Sequence, residues 1–101
     1  MKIISSQKFI NYDIVDEKIE KYNNRKSITL PIIDAGITDL DGNDLFILID
    51  GHHSKIAAEE LGIEISYEEV PNEYGLVGDD LLIAAHVDSD WYYVDSGQPV
   101  W

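Results

Sequence analysis

The sequence predicts a single α+β domain over residues 1–101. Three stretches carry that prediction. Leu45-Phe46-Ile47-Leu48-Ile49 is an unbroken apolar run, too short to span a membrane and suited to a central strand buried on both faces. Asp50-Gly51 then breaks the strand, and an alanine-bearing helix runs to Leu61, with Gly62 as its C-terminal stop. Ile63-Glu64-Ile65-Ser66-Tyr67-Glu68 alternates apolar and polar residues, the pattern of a half-exposed strand with Ile63, Ile65 and Tyr67 inward.

The remaining elements follow in chain order. Lys2-Ile3-Ile4 and Phe9-Ile10 read as short extended pieces. Asp13 reads as the N-cap of a helix with Asp16 and Glu17 in its first turn, where acids complement the helix dipole. Val15, Ile19 and Tyr22 form one helical stripe, and Glu17 with Lys21 makes an i, i+4 pair. Ile28-Thr29-Leu30-Pro31-Ile32-Ile33 reads as a strand, with Pro31 near its start or on an exposed side because proline donates no ladder bond. Asp41-Gly42 is a hairpin turn. Its acidic surroundings, Asp39 to Asp44, lack the glycine and glutamate spacing of a calcium loop. Past the loop Pro71-Asn72-Glu73-Tyr74-Gly75, a last helix begins at Gly78-Asp79-Asp80 with Leu81–Val87 as its body and His86 in its final turn. Ser96-Gly97 turns a short terminal hairpin. The sum is a mixed sheet with two or three helices, plus a C-terminal helix and hairpin.

Composition narrows the chemistry. There is no cysteine, so no disulfide framework, thiolate metal site or cysteine redox reaction. His52 and His53 are adjacent and have no histidine partner at helical spacing, so no metal site is expected. No signal peptide or spanning segment is indicated, and a soluble cytoplasmic protein is expected. The net charge of −13 is uneven. Residues 1–55 hold all seven basic residues and nine acids, whereas residues 56–101 hold eleven acids and no Lys or Arg. Such a chain repels phosphate backbones and attracts basic partners, so no nucleic acid and no membrane is expected as partner.

Ile49-Asp50-Gly51-His52-His53-x-x-x-Ala57-Ala58-x-x-Leu61-Gly62 resembles the nucleotide-binding turn of the ParB/sulfiredoxin-like superfamily. The resemblance covers about residues 1–70. It implies a β-α-β-β-α-β core there, with residues 71–101 as an acidic, aromatic-rich C-terminal extension. It also implies that Asp50, Gly51, His52, His53, Ser54 and Lys55 hold a Mg-nucleotide, since a glycine-led turn into a helix aims backbone N–H groups at an anion. The match departs at the residues that do the family's chemistry. Ser54 stands where the family has its phosphate-gripping arginine, and His52 where sulfiredoxin has its cysteine. A serine does not replace a guanidinium fork.

Two functional readings follow. The first is a non-catalytic acidic binding protein that captures and neutralises a basic protein partner. It resembles small immunity or antitoxin-type proteins that cover a nuclease toxin, including those of contact-dependent inhibition. This reading needs no cofactor and uses Glu64, Glu68, Glu69, Asp79, Asp80, Asp88, Asp90, Trp91 and Tyr92, where aromatic anchors lie among acids. The second is a nucleotide-binding phosphotransferase or NTPase acting at the Gly51 turn. It must overcome the repulsion between a −13 domain and a polyphosphate.

Overall fold

The computed structural model describes all residues, 1–101. Eight elements follow one another: β1 (Lys2–Ser5), α1 (Tyr12–Tyr22), β2 (Ser27–Thr38), β3 (Asp44–Leu48), α2 (His52–Leu61), β4 (Glu64–Glu69), α3 (Gly78–Ala84) and β5 (Tyr92–Tyr93). The strands form one mixed sheet in the order β4-β2-β3-β1-β5. The β2–β3 and β1–β5 pairs are antiparallel, and β1–β3 and β2–β4 are parallel.

Strand periodicity divides the core into two layers. Ile28, Leu30 and Ile32 of β2 face α1 and α2, where they meet Val15, Tyr22, Ala57 and Ala58. Ile33 and Ala35 face the other way and join Ile4, Leu45 and Ile47 beneath Leu81 and Leu82 of α3. The apolar run in β3 serves both layers: Leu48 enters the first and Leu45 and Ile47 the second. The α1 stripe of Val15, Ile19 and Tyr22 packs on the first layer, as do Ile63, Ile65 and Tyr67.

Several local expectations are corrected. Asn11, not Asp13, caps α1: its backbone is extended and its side chain accepts the Asp13 N–H at 3.0 Å. The Glu17–Lys21 pair does not form. The one ion pair is Lys55–Glu59, and the Lys21 ammonium lies over the Tyr22 ring, 5.6 Å from its centre. Phe9-Ile10 is not a strand, and Phe9 is exposed. Pro31 sits inside β2 rather than at its start, on a side left open, the second of the two expected placements. The carbonyls of Lys26 and Ile32 accept bonds from the β4 side, so the even residues of β2 face β4. Pro31 therefore faces β3, and that ladder has already ended at the Ile32–Leu48 pair. No donor is needed there.

The segment 71–101 is built into the domain. Val94 and Val100 are buried, one in each layer. The Val94 N–H donates to the Ile3 carbonyl, and the Ser6 carbonyl accepts from Asp88 and Ser89. The terminal hairpin forms: the Tyr93 N–H donates to Gln98 and the Gly97 N–H to Tyr93. α3 ends at Ala84, earlier than expected, so His86 lies beyond the helix. No helix is long and apolar enough to cross a membrane.

Candidate functional site

The turn between β3 and α2 opens on a polar cleft of about 420 Å³. Its wall includes Asp50, Gly51, His52, His53 and Ser54 from the turn, with Lys18 and Tyr22 from α1. Gly51 has φ +97°, and a Cβ added there would stand 2.7 Å from Leu30 Cδ2, so the turn admits only glycine without strain. No side chain caps α2 at this end.

Each side chain of the turn is engaged within the protein. The Asp50 carboxylate accepts the Gly51 N–H at 2.8 Å, which places a negative group at the lip of the turn. His52 Nε2 bonds Ser5 Oγ, which also accepts the Gln7 N–H at 3.0 Å. Burial lowers the His52 pKa from its ordinary value, and neighbouring His53 acts in the same direction. His53 Nε2 accepts the Asn11 N–H at 3.1 Å, tying the start of α1 to the start of α2. Ser54 Oγ and the Tyr22 hydroxyl are 3.1 Å apart, tying the other end of α1 to the same turn. Lys55 Nζ lies 2.7 Å from Glu59 Oε1.

These residues lack the guanidinium of the family they resemble. Lys55 of the turn is paired with Glu59, and a carboxylate stands at its lip, so Lys18 is the one unpaired cation in the wall of the cleft. No buried side-chain polar atom lacks a partner. The Ser5–His52 contact does pair a hydroxyl with a base. Ser5 is only 2% exposed, however, and no carboxylate bonds the imidazole.

The nine residues expected at a partner surface fall into separate groups. Glu64, Glu68 and Glu69 are exposed on β4, one edge of the sheet. Tyr92 is on β5, the opposite edge; its hydroxyl donates to the Gln7 carbonyl and Lys8 Nζ lies 5.3 Å from its ring centre. The Asp88 carboxylate accepts the N–H groups of Lys8 and Phe9 at 2.8 and 3.2 Å. Asp88 and Tyr92 thus hold the segment after β1 in place. Asp79 and Asp80 are exposed in the first turn of α3, and Asp90 is exposed beside Trp91. Asp79 and Trp91 meet in a groove of about 750 Å³, completed by Leu82, Ile83, His86 and Trp101.

Ile83 and Trp101 were not among the residues expected from sequence. A signal for Ile83 was present. Three consecutive apolar residues, Leu81-Leu82-Ile83, span about 200° around a helix, so a helix with one buried face leaves one of them outside. Sequence reading also missed Asp39. It bonds Asn43 and accepts the Tyr93 hydroxyl at 2.7 Å, which fastens the β2–β3 turn to β5. The Tyr93 bond, aided by Asn43 and Asp41, holds Asp39 down at about 2, and Asp39 pushes Tyr93 up to about 12.

No protein-family model matches the chain, and no solved structure matches it. Among curated proteins it is similar to a vacuolar membrane protease of Candida tropicalis (strain ATCC MYA-3404 / T1), with 30% identity over 96 residues. The match takes in 95% of this chain but spans only 9% of the length of that relative.

Proposed function

We propose that this chain is a non-catalytic acidic binding protein that captures and neutralises a basic protein partner, in the manner of an immunity protein against a nuclease toxin. One observation carries the reading. All eleven acidic side chains after residue 55 are exposed, and only Glu59 has a cationic partner within the chain. Ten carboxylates are therefore without an ion-pair partner, and they outnumber the seven basic residues of the whole chain. The field of such an excess steers a basic protein inward, raising association rates by about 10–1,000-fold at low salt. Burial of aromatic side chains then slows escape. The internal engagement of the Gly51 turn supports the same reading, because the side chains that would hold a phosphate hold α1 and Glu59 instead.

The test is capture at low salt with elution by a salt gradient, run on the native chain and on Asp79→Lys/Asp80→Lys/Asp90→Lys. Asp88 is left intact because it binds the backbone of Lys8 and Phe9. A basic protein retained at one-to-one stoichiometry by the native chain and lost by the variant supports the proposal. Equal retention by the native chain, by this variant and by Glu64→Lys/Glu68→Lys sinks it.

A further inference from the structure

We infer that the groove between α3 and the C-terminal strand segment receives one amphipathic stretch of the basic partner, its apolar side chains seated between Trp91 and Trp101 and its Lys or Arg residues on the acidic rim. The inference rests on the capture reading above and assigns it a surface and a ligand chemistry.

The groove is apolar where it is open. Leu82 forms its floor at 7% exposure, while Ile83 stands 77% exposed and Trp101 54% exposed on its walls. Val87, 56% exposed, follows the same helix. Contiguous apolar surface of this kind marks an interaction site. Its volume of about 750 Å³ accommodates several large side chains. Aromatic and aliphatic anchors in such a depression are the usual centre of a binding hot spot.

The rim selects the occupant by charge. Asp79 is the acid that lines the groove, and the exposed Asp80 and Asp90 are sequence neighbours of the lining residues Asp79 and Trp91. No Lys or Arg occurs anywhere after Lys55. Nucleic acid and anionic lipid are repelled, and an aromatic stacking platform for bases needs accompanying cations. A second copy of this chain would set the same acids against each other across a two-fold interface. A segment that is apolar on one side and cationic at its margins satisfies both the groove and the rim.

The chain carries its own reporter, because its two tryptophans, Trp91 and Trp101, both line the groove. Tryptophan emission is followed as the full chain is titrated with three synthetic peptides: an amphipathic lysine–leucine peptide, its glutamate–leucine counterpart, and a lysine-only peptide of equal length. The lysine–leucine peptide is expected to shift emission to shorter wavelength and to saturate, with the other two far weaker. Ile83→Ser should weaken binding about tenfold while leaving the far-UV spectrum unchanged, since Ile83 is exposed. An equal response to the lysine-only or the glutamate–leucine peptide overturns the inference, as does no response to any of them. A concentration-dependent dimer that Ile83→Ser abolishes and the peptide does not displace also overturns it. If a captured basic protein is insensitive to Ile83→Ser and is lost with Glu64→Lys/Glu68→Lys, the groove assignment falls and the capture reading stands. If the peptide binds as expected but no basic protein is captured, the groove assignment stands and the capture reading falls.

Discussion

Gly51 carries two constraints, a left-handed backbone and the side chain of Leu30 at its Cα. Gly51→Ala should therefore cost about 1–3 kcal/mol, read as a lowered urea midpoint with an unchanged slope. A loss below a few tenths of a kcal/mol would show that the turn relaxes freely. His52 carries a different constraint. Its folded-state pKa lies below the ordinary 6.5 because the ring is buried. As pH falls below 6.5 the unfolded chain takes up the proton first, so the stability present above that value drains away beneath it. His52→Gln should flatten this part of the stability–pH curve relative to the native chain, and parallel curves would contradict the assignment. The sequence marks both positions as special. It does not reveal that the histidines and Ser54 face other protein groups, because Ser5, Asn11 and Tyr22 reach them only through the tertiary fold.

At the scale of elements, α3 depends on few contacts. Leu81 and Leu82 are its buried residues, and Leu81 is fully enclosed among Ile4, Ile33 and Leu45. Leu81→Ala should cost about 2–4 kcal/mol and shift tryptophan emission to longer wavelength as the groove loses its wall. Unchanged emission at full destabilisation would place the tryptophans elsewhere. Of the elements from β1 to β4, α1 and β4 were legible by period, 3.6 for Val15, Ile19 and Tyr22 and two for Ile63, Ile65 and Tyr67, and β3 by its apolar run. The end of α3 was not legible. Its apolar letters continue to Val87, but the core beneath it is used up by Leu82, and the carbonyl and hydroxyl of Ser6 draw residues 87–89 toward β1 instead. Which of its two expected placements Pro31 takes was not legible for a related reason. Whether a proline fits inside a strand depends on where the neighbouring strand ends, and that is a property of the sheet.

For the whole molecule, charge is the dominant unbalanced term. A net −13 with a single ion pair leaves the folded state under self-repulsion. Adding sodium chloride should raise the thermal midpoint by about 4–8 °C if screening recovers about 1 kcal/mol. A midpoint that stays level or falls would mean that the acids are spaced too widely to repel. The charge asymmetry itself was legible by counting. The grouping of the acids was not, because neighbours in sequence such as Asp88 and Asp90 have different tasks, one bonding backbone and the other facing solvent. Sheet order likewise sends Glu64 and Tyr92 to opposite edges. The most direct measurement is the salt-gradient capture experiment comparing the native chain with Asp79→Lys/Asp80→Lys/Asp90→Lys. Retention of one stoichiometric basic protein, released at moderate salt and absent from the variant, is the expected result. A native chain that retains no basic protein, or one retained equally well by this variant and by Glu64→Lys/Glu68→Lys, would contradict the capture function.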